Sequence, residues 1–241
     1  MGRWDLKIDR RLAFPYWCAL IGFVGYCLLS EKFLYIYINP NASNGVAIHL
    51  KLFQYLDYYL NFFVCLMTAA IFEETIRKQS ISFMRSFPLT IWEFWFRRYF
   101  QLLFTVLAIL LPAVFVGTAQ ASDGLSLFTE ELSLGMQVDM FSFTMLFARI
   151  AISVNFCILL TIVLLIITRN RTLTCTVIFC YYMMELGPIG SSMGQYAWFY
   201  GSFGSIPSDL TLFRGREILV LLSAAFELAI PLWFKREFLL E

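Results

Sequence analysis

Six apolar runs, separated by short stretches that hold most of the charge, leave this chain few ways to fold. They lie at about Leu12–Leu29, Leu52–Phe72, Tyr99–Thr118, Arg149–Thr168, Thr172–Ser191 and Arg216–Phe234. The hydrocarbon core of a bilayer is ~30 Å thick and takes ~20 helical residues to cross. Inside it every backbone N–H and C=O must be paired within the protein, so a spanning segment is a helix or part of a closed barrel. Composition agrees, with 60% hydrophobic and 15% charged residues in a chain of 241. A soluble helical protein would spread its charges along every segment. The expected fold is an all-α integral membrane protein with six transmembrane helices, forming one transmembrane domain over residues 1–241.

Basic residues set the orientation, because they accumulate in cytoplasmic connections. With the N-terminus inside, that side holds Arg3, Lys7, Arg10, Arg11, Arg77, Lys78, Arg85, Arg97, Arg98, Arg169, Arg171, Lys235 and Arg236. The outside holds Lys32, Lys51, Arg214 and Arg216. This places both termini in the cytoplasm and makes the chain multi-pass in the inner or plasma membrane. The loop Ala119–Asp139 fits an outer location, since it carries Asp123, Glu130, Glu131 and Asp139 and no basic residue. Leu12–Leu29 is too long for the apolar part of a signal peptide and no small-residue cleavage site follows, so it reads as a retained span. Residues 1–11 read either as an interfacial lead-in helix, with Trp4 at headgroup level, or as a frayed basic tail.

The outer connections are less regular. Phe33–Ile38 is aromatic and is expected to extend the first helix out of the leaflet; a lone strand there would leave its edges unpaired. Pro112 marks a kink in the third span. Met140–Ala148 reads as an outer extension of the fourth span or as a surface helix. Residues 187–215, rich in Gly, Ser, Pro and aromatics, suit an outer re-entrant segment packed on protein, the alternative being a loose outer loop.

Between the second and third spans the pattern changes. Ile76, Ser80, Phe83, Met84 and Phe87 recur at helical spacing on one face, while Glu73, Glu74, Arg77, Lys78 and Arg85 project elsewhere. Pro88 ends that helix, and Thr90-Ile91-Trp92-Glu93 fits a capping box that starts the next. A polar, one-sided cytoplasmic helix at 73–98 is a surface for another protein to push on, or one that lies on lipid.

Asp57, Glu185 and Glu227 fall inside spans, and Arg149 lies at the edge of one. A charge at mid-depth costs roughly 2.5–3.5 kcal/mol on insertion scales and so needs a partner or water. At ~1.5 Å per residue, Asp57 lies about 8 Å and Glu185 about 9 Å below the outer boundary. Arg149 is expected to bridge them. Glu227 lies nearer the cytoplasmic end and either faces a polar cavity or is buried protonated. A proton relay through these carboxyls is the less economical reading.

Chemistry of the usual kinds lacks its residues. There is no Gly-Lys dipeptide and hence no phosphate loop, no GxSxG elbow and no HExxH pair. His49 is the one histidine and no cysteines form a CxxC pair, so no metal or cofactor site is expected in this chain. Nothing points to nucleic acid.

Taken together, the basic lead-in, the six spans with both ends inside and the loop between spans two and three resemble a permease subunit of the type-2 ABC export family. In that family the loop opens with a glutamate and runs into a Ser-x-Pro turn, where this chain has Glu73-Glu74 and Ser86-Phe87-Pro88. Where the family often has glycine soon after the glutamate, Arg77 and Lys78 stand here. The resemblance implies an ABC ATPase subunit that binds ATP and Mg2+, a second identical or related permease subunit, and surrounding lipid. It implies that Glu73, Glu74, Ile76, Arg77, Ser80, Phe83, Met84, Arg85 and Phe87 couple the two proteins. The aromatic content, 26 Phe and 12 Tyr, suggests an apolar or amphipathic cargo such as a peptide. The alternative is a membrane-embedded enzyme or chaperone acting on lipid or peptide through Asp57, Glu185 or Glu227.

Overall fold

The computed structural model describes residues 14–15, 17–25, 36–39, 47–50, 60–76, 91–132, 143–186, 192 and 216–240. Helices dominate: a stretch at 17–25, then α1 (Leu60–Ile76), α2 (Ile91–Leu132), α3 (Phe143–Thr168), α4 (Arg171–Leu186) and α5 (Arg216–Leu240). Three of them contain windows long and apolar enough to cross a membrane, Trp95–Phe115, Phe147–Thr168 and Arg216–Arg236. The apolar part of α1, Leu60–Glu73, is shorter.

The surface is that of a protein suited to lipid. Phe104, Phe115, Leu221 and Leu228 are each at least 60% exposed, while Asn61, Thr68, Ser153 and Thr161 are buried. Apolar residues outside and small polar residues inside is the reverse of a soluble protein, and it accords with membrane association. The hydroxyls of Thr68, Thr161 and Ser153 are satisfied within their own helices. Thr68 donates to the Val64 carbonyl at 2.7 Å, Thr161 to Cys157 at 2.7 Å and Ser153 to Arg149 at 3.1 Å.

At the centre stands α3. Every residue from Phe156 to Ile162 is buried, and 61% of its apolar window is enclosed, against 33% for α2 and 28% for α5. A helix apolar all round belongs in a core. It packs against α1, α5, α2 and α4 in turn. Its contact with α1 is made close by small side chains: Cys65, Thr68 and Ala69 are fully buried, and the Cys65 thiol lies 3.8 Å from the Cys157 carbonyl. Such close backbone approach stands in for the hydrophobic force that lipid removes.

Three expectations change. Ile36–Asn39 is a strand (β1), not a helical extension, and pairs antiparallel with β2 (Ala47–Leu50) in the register Ile36↔Leu50, Tyr37↔His49. The objection to a lone strand holds, but Asn39-Pro40 and Asn44-Gly45 are turn formers that let the chain supply its own partner. The acidic loop from Ala119 is helix as far as Leu132. Its Ala, Gln, Leu and Glu residues are good helix formers, and extending an existing helix needs no new nucleus. At 1.5 Å per residue α2 is about 63 Å long, roughly twice a hydrocarbon core. Third, α1 continues past Phe72 to Ile76, so Glu73, Glu74 and Ile76 belong to it. Of the two readings of Met140–Ala148, the extension is the one found from Phe143 onward, where the chain is continuous with α3.

Two residues join α3 to α4. Arg169 takes φ 50°, the left-handed conformation that reverses a chain after a helix, and its N–H bonds the Leu165 carbonyl at 2.8 Å. A glycine would be the usual choice there. Arg169 offsets the cost by laying its guanidinium 5.9 Å from the centre of the Trp233 ring of α5. Asn170 caps α4, its Oδ1 accepting the Leu173 N–H at 3.2 Å, and the Thr168 and Thr174 hydroxyls lie 2.7 Å apart across the turn. Asn170→Ala is expected to lower stability by about 1 kcal/mol, measured as equilibrium unfolding in detergent, and Asn170→Asp to restore most of it.

Candidate functional site

A polar contact between three helices sits inside this apolar bundle. Tyr99 of α2 is 1% exposed, and its hydroxyl donates to Glu227 Oε1 of α5 at 2.9 Å. The same hydroxyl lies within hydrogen-bonding reach of the Asn155 side-chain oxygen on α3, so its one proton serves either acceptor. Asn155 Nδ2 donates to Glu227 Oε1 at 3.4 Å. Both bonds to the carboxyl thus arrive at one oxygen. Oε2 has no hydrogen-bond partner among the described residues.

Aromatic packing fixes these side chains. Trp95, one turn before Tyr99, lies 4.8 Å from it between ring centres and meets Phe72 of α1 edge-on at 6.0 Å. On the far side Phe156 stacks on Phe226 at 6.2 Å, and each is the chain neighbour of a site residue. Glu227 is also four residues before Pro231, which lies inside α5. Proline has no N–H to give the Glu227 carbonyl and its ring crowds that carbonyl, so the helix ladder is interrupted at the turn that holds the site.

One residue before Tyr99, Arg98 reaches the other way. Its Nη2 donates to the Ile71 carbonyl at 3.2 Å and its guanidinium lies 5.7 Å from the Phe72 ring centre. The positive group meets the last turns of α1, where the helix dipole is negative. Trp95, Arg98 and Tyr99 therefore tie the start of α2 to the end of α1 and to α3 and α5 within little more than one turn.

The residues expected from sequence fall into separate places. Among the described residues Glu227 meets Tyr99 and Asn155, and it makes no ion pair with Arg149. Arg149 and Glu185 are 4% and 1% exposed, at the end of the α3–α4 hairpin away from its turn. Asp57 lies outside the described residues. Arg216, counted on the outside from sequence, is also buried, at 2%. Glu73 is half-buried in the last turn of α1, and Ile76 is 5% exposed within the chain's own core, so its side chain is already covered. Glu74 is on α1, while Arg77, Ser80, Phe83, Met84, Arg85 and Phe87 lie outside the described residues.

Sequence reasoning found Glu227 and passed over its partners. Only charged groups were sought in the spans, yet an amide in hydrocarbon also demands a partner. Asn155, alone of its kind in the most apolar run, carried that signal. Tyr99 had none to distinguish it from the other tyrosines. The contact is expected to be cooperative. In a double-mutant cycle with Tyr99→Phe and Glu227→Leu, stability measured by reversible unfolding should show a coupling of roughly 0.6–1.7 kcal/mol, and strict additivity would mean that the hydroxyl and carboxyl do not interact.

Compared with family models, curated proteins and solved structures, the chain has no significant match, which leaves its chemistry to be read from these residues.

Proposed function

We propose that this chain is the membrane-spanning subunit of an ATP-driven exporter whose ATP is hydrolysed by a separate subunit. A second permease subunit, identical or related, completes the pathway. In this reading all six apolar runs cross the inner or plasma membrane, both termini are cytoplasmic, and the cargo is apolar or amphipathic, with peptide as the leading class. The chain carries no phosphate loop, so the energy must enter by contact.

The observation that supports this reading best is the anchoring on either side of the segment 77–90. Arg98 holds the Ile71 carbonyl, and Trp95 meets Phe72, so both ends of the segment are tied to one another and to the bundle. A push that reaches the end of α1 or the start of α2 therefore enters helices already fastened to one another. The next residue, Tyr99, bonds Glu227 beside Pro231, where α5 is least able to resist bending. Movement entering from the cytoplasm thus has a short route to the polar centre of the bundle.

With Ile76 covered by the chain's own core, the side chains available to an ATPase are those beyond it on the same stripe. Phe83, Met84 and Phe87 would fill an apolar groove, with Arg77 or Arg85 at its rim. Phe83→Asp combined with Phe87→Asp should abolish co-purification with the ATPase encoded nearby, while the permease still inserts. Undiminished complex formation by that variant would contradict the coupling role.

A further inference from the structure

The polar centre has an open side. Glu227 is half-buried, makes no ion pair among the described residues, and receives both of its hydrogen bonds at Oε1. Side chains on a helix lean toward its N-terminus and over the residue four positions back. For Glu227 that residue is Ser223. Its hydroxyl is buried, the residue being 4% exposed, and has no hydrogen-bond partner among the described residues. Other buried hydroxyls here bond the carbonyl one turn back, as Thr68 and Thr161 do, so Ser223 stands out by leaving its hydroxyl unused. Two oxygens one turn apart, Glu227 Oε2 and Ser223 Oγ, are therefore left without protein donors at mid-span.

An unpaired carboxyl and an unpaired hydroxyl are each costly away from water, and one ligand group relieves both. It must carry positive charge for Oε2 and more than one N–H or O–H to reach both oxygens. A primary ammonium has one charge and three donors. A quaternary ammonium has the charge and no donor, and an alcohol has one donor and no charge.

We infer that Glu227 and Ser223 form a binding site for the primary ammonium of an amphipathic molecule, such as a lysine side chain or free amino terminus on an apolar peptide. This rests on the transport reading and names the feature of the cargo that the chain selects. Asn155 and Tyr99 are positioning residues in this site: they hold Oε1 so that Oε2 faces the ligand.

The test uses the whole chain in nanodiscs of neutral lipid, without any ATPase, and three probes of equal chain length: decylamine, decanol and decyltrimethylammonium. Binding is read as a change in Trp fluorescence and as a thermal shift, with Trp95→Phe identifying the part that Trp95 reports. Decylamine should bind about tenfold or more tightly than either other probe. Glu227→Gln, which keeps an acceptor for Tyr99 and Asn155 but loses the charge, should erase that preference. Ser223→Ala should reduce it while leaving the fold intact. Equal binding of the three probes, a preference that survives Glu227→Gln, or displacement of decylamine by equimolar Na+ or K+ would overturn the assignment. Amine binding by a chain that never associates with an ATPase would leave the site standing and remove the exporter reading.

Discussion

The bundle depends on one polar contact, the meeting of Tyr99, Asn155 and Glu227 at the junction of α2, α3 and α5. In water three apolar helices would be driven together by burial, but lipid tails are as apolar as the helix faces and supply no such force. Association must then come from close packing and from groups that lipid cannot satisfy. On the α1 side of α3 small residues do this, with Cys65, Thr68 and Ala69 letting backbones approach. On the α2 and α5 side, where much less surface is enclosed, the hydrogen-bonded carboxyl takes over. Small-residue packing thus serves one side of α3, and a hydrogen-bonded carboxyl within an apolar contact serves the other.

That asymmetry gives the position of the contact its meaning. Trp95 and Arg98 fasten α2 to the end of α1, and Tyr99 fastens it to α3 and α5. A helix secured at one turn to both halves transmits displacement between them. Pro231, four residues after Glu227, interrupts the ladder of α5 where that displacement arrives. On the exporter proposal, the arrangement suits a device that is moved from the connection between α1 and α2 and responds at its polar centre. A carboxyl with one oxygen committed to the frame and one left open can couple that movement to what is bound.

Much of this was legible in the sequence, for identifiable physical reasons. Apolar runs separated by charge report helices because hydrocarbon admits little else, and the positions of α3, α4 and α5 follow the runs closely. Glu227 was visible because a charge in a span is costly. Element boundaries failed where the rule of hydropathy stops applying. Past Thr118 the polarity that ends a span does not end a helix, and the strand at Ile36–Asn39 depends on a partner, Ala47–Leu50, that lies further along the chain. Tyr99 and Ser223 were invisible because hydroxyl groups are common in such helices and usually bond their own backbone. Only the fold shows which of them does something else.

The central claim is that force applied at the cytoplasmic connection reaches the polar centre through the start of α2. The direct measurement is the α2–α5 distance, from spin labels at the exposed positions Gln101 and Leu228 in a chain whose native cysteines are replaced, within the assembled complex. Trapping the ATPase with ATP should shift that distance in the otherwise native chain and leave it unchanged in Arg98→Gln, while the complex still forms and hydrolyses ATP. A distance that ignores ATP, or one that shifts equally in Arg98→Gln, would contradict the account.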